Sequence, residues 1–191
     1  MPRLATVTLP NAFQYYDEWS VVNAGKLANH LISHTSTANV FNVNDLNALN
    51  STVTEIIVEN RCCRDPSFTV LDLTRFRNVR RIVIGDGCFM YVNVFNITGL
   101  STLESVEIGI NSFTQHKNGV NIIPYPDHHF YLKNCPKLKS LKIGRFSFSD
   151  YTVCEIENVD ALEVIEMGDL NKDSYNFYYA SLELSILIHV E

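Results

Sequence analysis

The stretch LKSLKIG, from Leu138 to Gly144, decides how this sequence is interpreted. Its apolar residues alternate with lysines, and alternation of this kind places the two residue types on opposite faces of an extended chain. Taken alone, Lys139 and Lys142 would indicate a basic strip for an anionic ligand. The related segments elsewhere in the chain give these lysines another meaning.

Four other segments have the same pattern, with apolar residues at positions one, four and six: VTEIIVE (53–59), VRRIVIG (79–85), LESVEIG (103–109) and LEVIEMG (162–168). Their first residues are separated by intervals of 26, 24, 35 and 24 residues. One unit therefore has about 24 residues, and the third carries roughly 11 more.

Further positions of the unit also repeat, and we call the residues at one such position in successive units a column. Three residues after the glycine position stands a small polar residue or a cysteine, and an aromatic residue follows it in three units. The small-residue column reads Cys62, Cys88, Ser112, Ser147 and Asn171, and the aromatic column reads Phe89, Phe113 and Phe148, with Cys63 in the same place. A second alternating run comes eight residues before the next unit begins: LDL (71–73), FNI (95–97), FYL (130–132) and CEI (154–156).

A unit of this size cannot bury its own apolar face, so the units are expected to stack. We predict a mainly β solenoid in which each unit adds one short strand to each of two parallel sheets, with the phenylalanines between the sheets. Residues 53–191 would form this solenoid, with an insert at about 115–128. Residues 1–52 would form an irregular capping region, in which 4–13 has the spacing of one more unit and 24–34 is predicted to be a short helix.

The pattern LxxLxIGxxSF, followed by a run such as FYLKNCPK, resembles the leucine-rich repeats, and most closely their bacterial-surface-protein-A-like (BspA-like) subgroup. The segment LKNCPKLKSLKIGRFSF (132–148) carries the resemblance, which covers about residues 53–168. The family's ninth position usually holds asparagine or cysteine, whereas here it reads Arg61, Gly87, Asn111, Phe146 and Leu170. The resemblance implies a protein-interaction scaffold rather than a reaction.

Exposed strand positions alternate in charge from unit to unit. Position two gives Arg80, Glu104, Lys139 and Glu163, and position five gives Glu107, Lys142 and Glu166. In stacked parallel strands these residues would be neighbours, and opposite charges there stabilise by about 0.2–1 kcal/mol per pair. We interpret this charge ladder as structural; the alternative is a mixed-charge face that recognises a partner.

The chain contains no pattern that indicates catalysis. Cys62 and Cys63 fall in the turn columns, which favours buried structural thiols over a metal or redox pair, and no CxxC spacing is present. His30 and His34 lack the intervening glutamate of a zinc-protease helix. We therefore expect no enzyme, no cofactor and no metal site.

The insert contains the candidate binding residues, which are His116, Lys117, Tyr125, Asp127, His128 and His129. Loops that leave a rigid repeat framework are frequent sites of binding, although an insertion at such an edge is also well tolerated without function. We expect a non-catalytic protein-interaction module with a protein partner; the alternative is a structural repeat segment of a larger scaffold or surface protein.

Composition restricts the partner and the compartment. The net charge of −6 over 191 residues disfavours nucleic acid. No apolar run has the length of a membrane helix, and the first residues do not have the pattern of a signal peptide, so we expect no membrane partner and a cytoplasmic location. For a fragment of a longer chain, a surface or secreted location is the alternative.

The charge ladder gives a first prediction. Replacing Lys142 by Glu should lower the free energy of unfolding, because three carboxylates would then lie side by side on neighbouring strands. The urea unfolding midpoint at low ionic strength measures the change, and added salt should reduce it. An unchanged midpoint at low salt would contradict the in-register arrangement.

Overall fold

The computed structural model describes residues 36–185, which form eleven strands and little helix. The segments 4–13 and 24–34, His30, His34 and the chain beyond 185 lie outside the described residues. The strands are β1 (Thr37–Val40), β2 (Glu55–Val58), β3 (Val70–Asp72), β4 (Arg81–Ile84), β5 (Val94–Thr98), β6 (Ser105–Ile108), β7 (Tyr125–Lys133), β8 (Ser140–Ile143), β9 (Tyr151–Glu157), β10 (Val164–Met167) and β11 (Ser181–Ser185).

The strands form two parallel sheets, which confirms the prediction of a mainly β chain. From β2 onward the chain alternates between the sheets, so that one has the order β1-β2-β4-β6-β8-β10 and the other β11-β9-β7-β5-β3. The apolar columns pair without a shift in the first sheet: Ile56 with Ile82, Ile82 with Val106, Val106 with Leu141, and Leu141 with Ile165. The spacing of the sequence segments therefore corresponds to the strand register.

One short α-helix, α1 (Val43–Ala48), follows β1 and was not predicted from the sequence. The side chain of Asn42 caps it by accepting a hydrogen bond from the Asp45 N–H, and Asp45 in turn accepts from the Phe41 N–H. This reciprocal arrangement satisfies backbone donors at the helix start. Strand β1 pairs with β2, so the first sheet begins before Val53.

The inward positions are buried in the four units from Val53 to Ile143, as predicted. They belong to one hydrophobic core that includes residues of both sheets. In the first sheet these residues are Val53, Ile56, Val58, Val79, Ile82, Ile84, Leu103, Val106, Ile108, Leu138, Leu141 and Ile143.

The small-residue column forms a hydrogen-bond ladder between successive units. The Ser112 hydroxyl donates to the Gly85 carbonyl at 2.8 Å and accepts from the Cys88 N–H at 3.1 Å. Ser147 repeats both contacts with the Gly109 carbonyl and the Ser112 N–H. Because these turns are buried, the side chains satisfy backbone groups that water cannot reach.

The last rung of this ladder differs from the sequence prediction. Asn176, and not Asn171, donates to the Gly144 carbonyl, at 2.7 Å. Residues 169–173 form an additional turn that displaces the column by five positions. The ninth-position column is displaced in the same way, because Tyr175 and not Leu170 has the left-handed conformation seen at Asn111 and Phe146.

The aromatic column occupies the core with its backbone in the left-handed region. Phe113 has φ = 54° and Phe148 has φ = 58°, which for residues with a Cβ is unfavourable by about 1–2 kcal/mol. Their rings stack with centroids 4.6 Å apart, and Phe177 continues the stack 4.8 Å beyond Phe148. Ring stacking and full burial offset the backbone cost.

A glycine column allows the turns to approach one another closely. A Cβ on Gly109 would lie 2.7 Å from the Asp86 nitrogen, and one on Gly144 would lie 2.6 Å from the Gly109 carbonyl carbon. Both distances are shorter than van der Waals contact with backbone that cannot move aside. The glycines of the repeated motif are therefore required by close packing.

The charged positions lie beside one another on the first sheet. Glu107, Lys142 and Glu166 are register partners on adjacent strands, and Lys142 Nζ lies 3.0 Å from Glu166 Oε2. Arg80 and Glu104 approach to 3.7 Å. All of these side chains are about half exposed, so each pair contributes at most about 1 kcal/mol.

Arg81 makes an additional link that the alternation did not predict. It forms an ion pair with Glu55 and lies 3.8 Å from Glu107, so it joins three neighbouring strands. The hydrogen bond from Arg81 is the main cause that lowers the pKa of Glu55, and the Thr37 hydroxyl adds to it.

The hydrogen-bond ladder gives a second prediction. Ser112→Ala should lower the free energy of unfolding by about 1–3 kcal/mol, because it removes the side-chain partner of a buried carbonyl and a buried N–H. Ser101→Ala is the matched control at an exposed position and should change stability by less than about 0.5 kcal/mol. Equal denaturation midpoints for the two variants would contradict the structural role of this column.

Candidate functional site

The insert between β6 and β7 is anchored at its start and packs on a later loop. The Asn118 N–H donates to Asn111 Oδ1 at 2.7 Å, and the two side-chain amides also bond to each other. A 3-10 helix, Lys117–Gly119, places Gly119 against the ring of Tyr175. The Tyr179 hydroxyl donates to the Ile122 carbonyl at 3.3 Å, so the insert rests on the loop between β10 and β11.

The candidate binding residues of the insert do not form a single exposed group. Lys117 and Asp127 are exposed, whereas His116, Tyr125 and His129 are half-buried and His128 is buried. Asp127 accepts a hydrogen bond from the Asn93 amide at 3.1 Å. The ring nitrogens of His129 lie within hydrogen-bond distance of the Tyr131 hydroxyl and the Pro126 carbonyl.

Strand β7 begins inside the insert, which gives its last residues a structural role. The Tyr125 N–H donates to the Asp150 carbonyl, and the Tyr125 carbonyl accepts from the Thr152 hydroxyl at 3.0 Å. The insert therefore has an exposed portion, residues 117–124, and a portion that belongs to the second sheet. Replacing residues 116–128 by a Gly/Ser loop would therefore remove the exposed portion of the insert together with the first residues of β7.

His128 and Asp150 form a buried polar pair. Their facing atoms, Nδ1 and Oδ1, are 3.9 Å apart and have no direct hydrogen-bond partner. The other Asp150 oxygen accepts from the Gln115 N–H at 3.1 Å, and the His128 ring lies between those of Tyr125 and Tyr151. Within residues 36–185, no group of three or more His, Cys, Asp or Glu side chains is arranged to hold a metal ion.

An exposed apolar surface lies where the insert meets the loop before β11. Val120 and Tyr178 are 62% and 56% exposed, and Ile123, Tyr175 and Tyr179 are also exposed. The Tyr178 ring contacts those of Tyr175 and Tyr179, with centroids 5.5 and 4.9 Å apart. We call these five residues the aromatic surface. Tyrosine-rich apolar patches are typical of protein interfaces.

Sequence reasoning missed the tyrosines of this surface. The run SYNFYYA, residues 174–180, contains four aromatic residues, and this concentration in a non-periodic segment is the signal that was available. Only Phe177 of the four enters the aromatic stack. The other three remain at the surface, where their exposure is not explained by packing of the core.

The cysteines are buried free thiols. Cys62 Sγ lies 2.8 Å from Cys63 Sγ, and Cys62 also donates weakly to the Val40 carbonyl at the first rung of the hydrogen-bond ladder. Burial raises the pKa of Cys88 to about 11 and that of Cys154 to about 12, and burial is also the main cause that raises the pKa of Cys63. Thiols with such pKa values are poor nucleophiles at neutral pH.

Comparison with known proteins gave no matching family model, no matching curated protein and no matching solved structure. Among the described residues, no helix is both long and apolar enough to cross a membrane.

Thiol chemistry supplies a third prediction. At pH 8 the native chain should react slowly with Ellman's reagent, because burial and raised pKa values leave little accessible thiolate. Unfolding in guanidinium should release all five thiols of the chain. Rapid reaction of two thiols in the native chain would contradict the structural assignment of Cys62 and Cys63.

Proposed function

We propose that the chain is a non-catalytic protein-interaction module, built as a leucine-rich-repeat solenoid of the BspA-like type. The solenoid is supported by strands that alternate between two parallel sheets, and by a register that follows units of about 24 residues. The turn columns, which repeat with the same spacing, support it independently.

The aromatic surface is the observation that carries the interaction function. Its tyrosines and aliphatic residues are exposed, whereas the phenylalanines of the aromatic column, Phe89, Phe113 and Phe148, are completely buried. Tyrosine contributes large contact area with few rotatable bonds, and it is enriched among the residues that dominate binding energy. The exposed portion of the insert supplies two of the five residues of this surface, in agreement with a loop that confers specificity on a rigid framework.

The first-sheet face is a weaker candidate for the partner site. On its interior strands, Arg80 pairs with Glu104, and Arg81 pairs with Glu55 and lies 3.8 Å from Glu107. A partner would have to compete with these contacts. We therefore assign the partner to the aromatic surface. We also propose that this partner is a protein rather than a nucleic acid or a membrane, and that the chain has a cytoplasmic location.

The fourth prediction tests this assignment. In Val120→Ser/Ile123→Ser and in Tyr178→Ser, the immobilised chain should retain its partner from a lysate of the source cells at least tenfold less strongly, as expected for central interface residues. Both variants alter exposed side chains, so their free energies of unfolding should stay within about 0.5 kcal/mol of that of the parent.

The matched control is Val70→Ser, which alters an equally exposed apolar residue on β3. The interaction function is supported by a protein whose retention falls in both aromatic-surface variants and not in the control. Retention that falls equally in all three variants, or in none, would contradict the assignment and favour a structural segment of a larger scaffold.

A further inference from the structure

The strands β10 and β11 expose apolar columns that the strands from β2 to β9 bury. Ile165 is 39% exposed, whereas its register partner Leu141 is completely buried. In the second sheet Leu182 is 58% exposed, whereas its register partner Cys154 is buried. Both strands are terminal in their sheets as far as the described residues extend. We call these two strands the C-terminal edge.

The charges of this edge are acidic. Glu163 directly precedes β10 and Glu166 lies within it, and both are exposed. Glu183 occupies the corresponding outward position of β11 and is also exposed. On the inner side, Lys142 Nζ of β8 lies 3.0 Å from Glu166 Oε2, so the neighbouring strand contributes a basic residue to the charge ladder.

The register defines what fits on the outer side of β10. A strand that continued the parallel sheet would place an apolar residue beside Ile165, as Leu141 lies on the other side. It would place one side chain beside Glu163 and another beside Glu166. Like charges at those positions would repel, and basic residues would complete the alternation.

We propose that the C-terminal edge binds a β-strand of a partner polypeptide, which adds in parallel beside β10. Its pattern is apolar, basic, any residue, apolar, basic, apolar. Within the described residues β10 has a strand neighbour on one side alone, so its backbone groups on the other side supply the hydrogen bonds. The exposed Ile165 supplies the apolar contact, and the two glutamates select basic residues. This surface differs from the aromatic surface, so the proposal stands whether or not the proposed function does.

The chain itself provides a matched pair of peptide probes. PKLKSLKIGR, residues 136–145, has the basic pattern, and STLESVEIGI, residues 101–110, has the same apolar positions with acidic residues between them. The fifth prediction is that the basic peptide binds the full-length chain about tenfold more tightly than the acidic one at low salt. Raising the ionic strength should reduce the ratio.

Amide chemical shifts of the isotope-labelled full chain locate the binding. The basic peptide should perturb Val164–Met167 and should leave the amides of β4 unchanged. Glu163→Gln/Glu166→Gln removes the acidic selection without adding a like charge beside Lys142, and it should bring the two peptides to similar affinity. Glu104→Gln is the control in the same ladder and should preserve the preference.

Three outcomes overturn the proposal. The first is equal binding of the two peptides by the parent chain, and the second is perturbation confined to residues outside β10 and β11. The third is concentration-dependent dimerisation of the chain that shifts the same β10 amides without peptide, since the occupant would then be a second copy.

Discussion

Contact between successive turns is the constraint on which the rest of the structure depends. Each turn contains buried backbone groups, and a cysteine, serine or asparagine of the next unit supplies a hydrogen-bond partner. The same turns require two residues in the left-handed region, and the second of them is Cys63 in the first unit and a phenylalanine in the four that follow. Side-chain polarity, backbone conformation and aromatic packing are thus fixed together at one place in each unit.

This arrangement explains why the sheets are regular although the units differ in length. The turn fixes which residues contact the preceding unit, so additional residues are accommodated before or after those contacting residues. The insert lies after Phe113, and the additional turn at 169–173 lies between β10 and the displaced column. Both additions leave the pairing of β6 with β8, and of β8 with β10, unshifted.

The sequence predicts the features that repeat with a regular spacing, but it does not predict those that lie in irregular segments. The spacing of Leu138, Leu141 and Ile143 predicts both burial and register, because each strand repeats the same contacts. Asn176 could not be assigned to its column, since residues 169–173 have no period from which to count. The burial of His128 was also unpredictable, because β7 begins within a segment that has the composition of a loop.

The candidate site was only partly accessible from the sequence for a related reason. The insert was recognised by the interval of 35 residues, and its exposed portion does contribute to the aromatic surface. Its tyrosine partners follow β10, and only the fold brings the two segments together through Gly119 and Tyr179.

The charge ladder has a consequence for how such a chain can lengthen. Duplication of the single unit that carries Lys139 and Lys142 would place two lysine rungs side by side at both positions. Duplication of that unit together with the one that carries Glu104 and Glu107 would preserve the alternation. Electrostatics on one sheet therefore favours growth of the repeat array in pairs of units, because each charged unit is stabilised by neighbours of opposite sign.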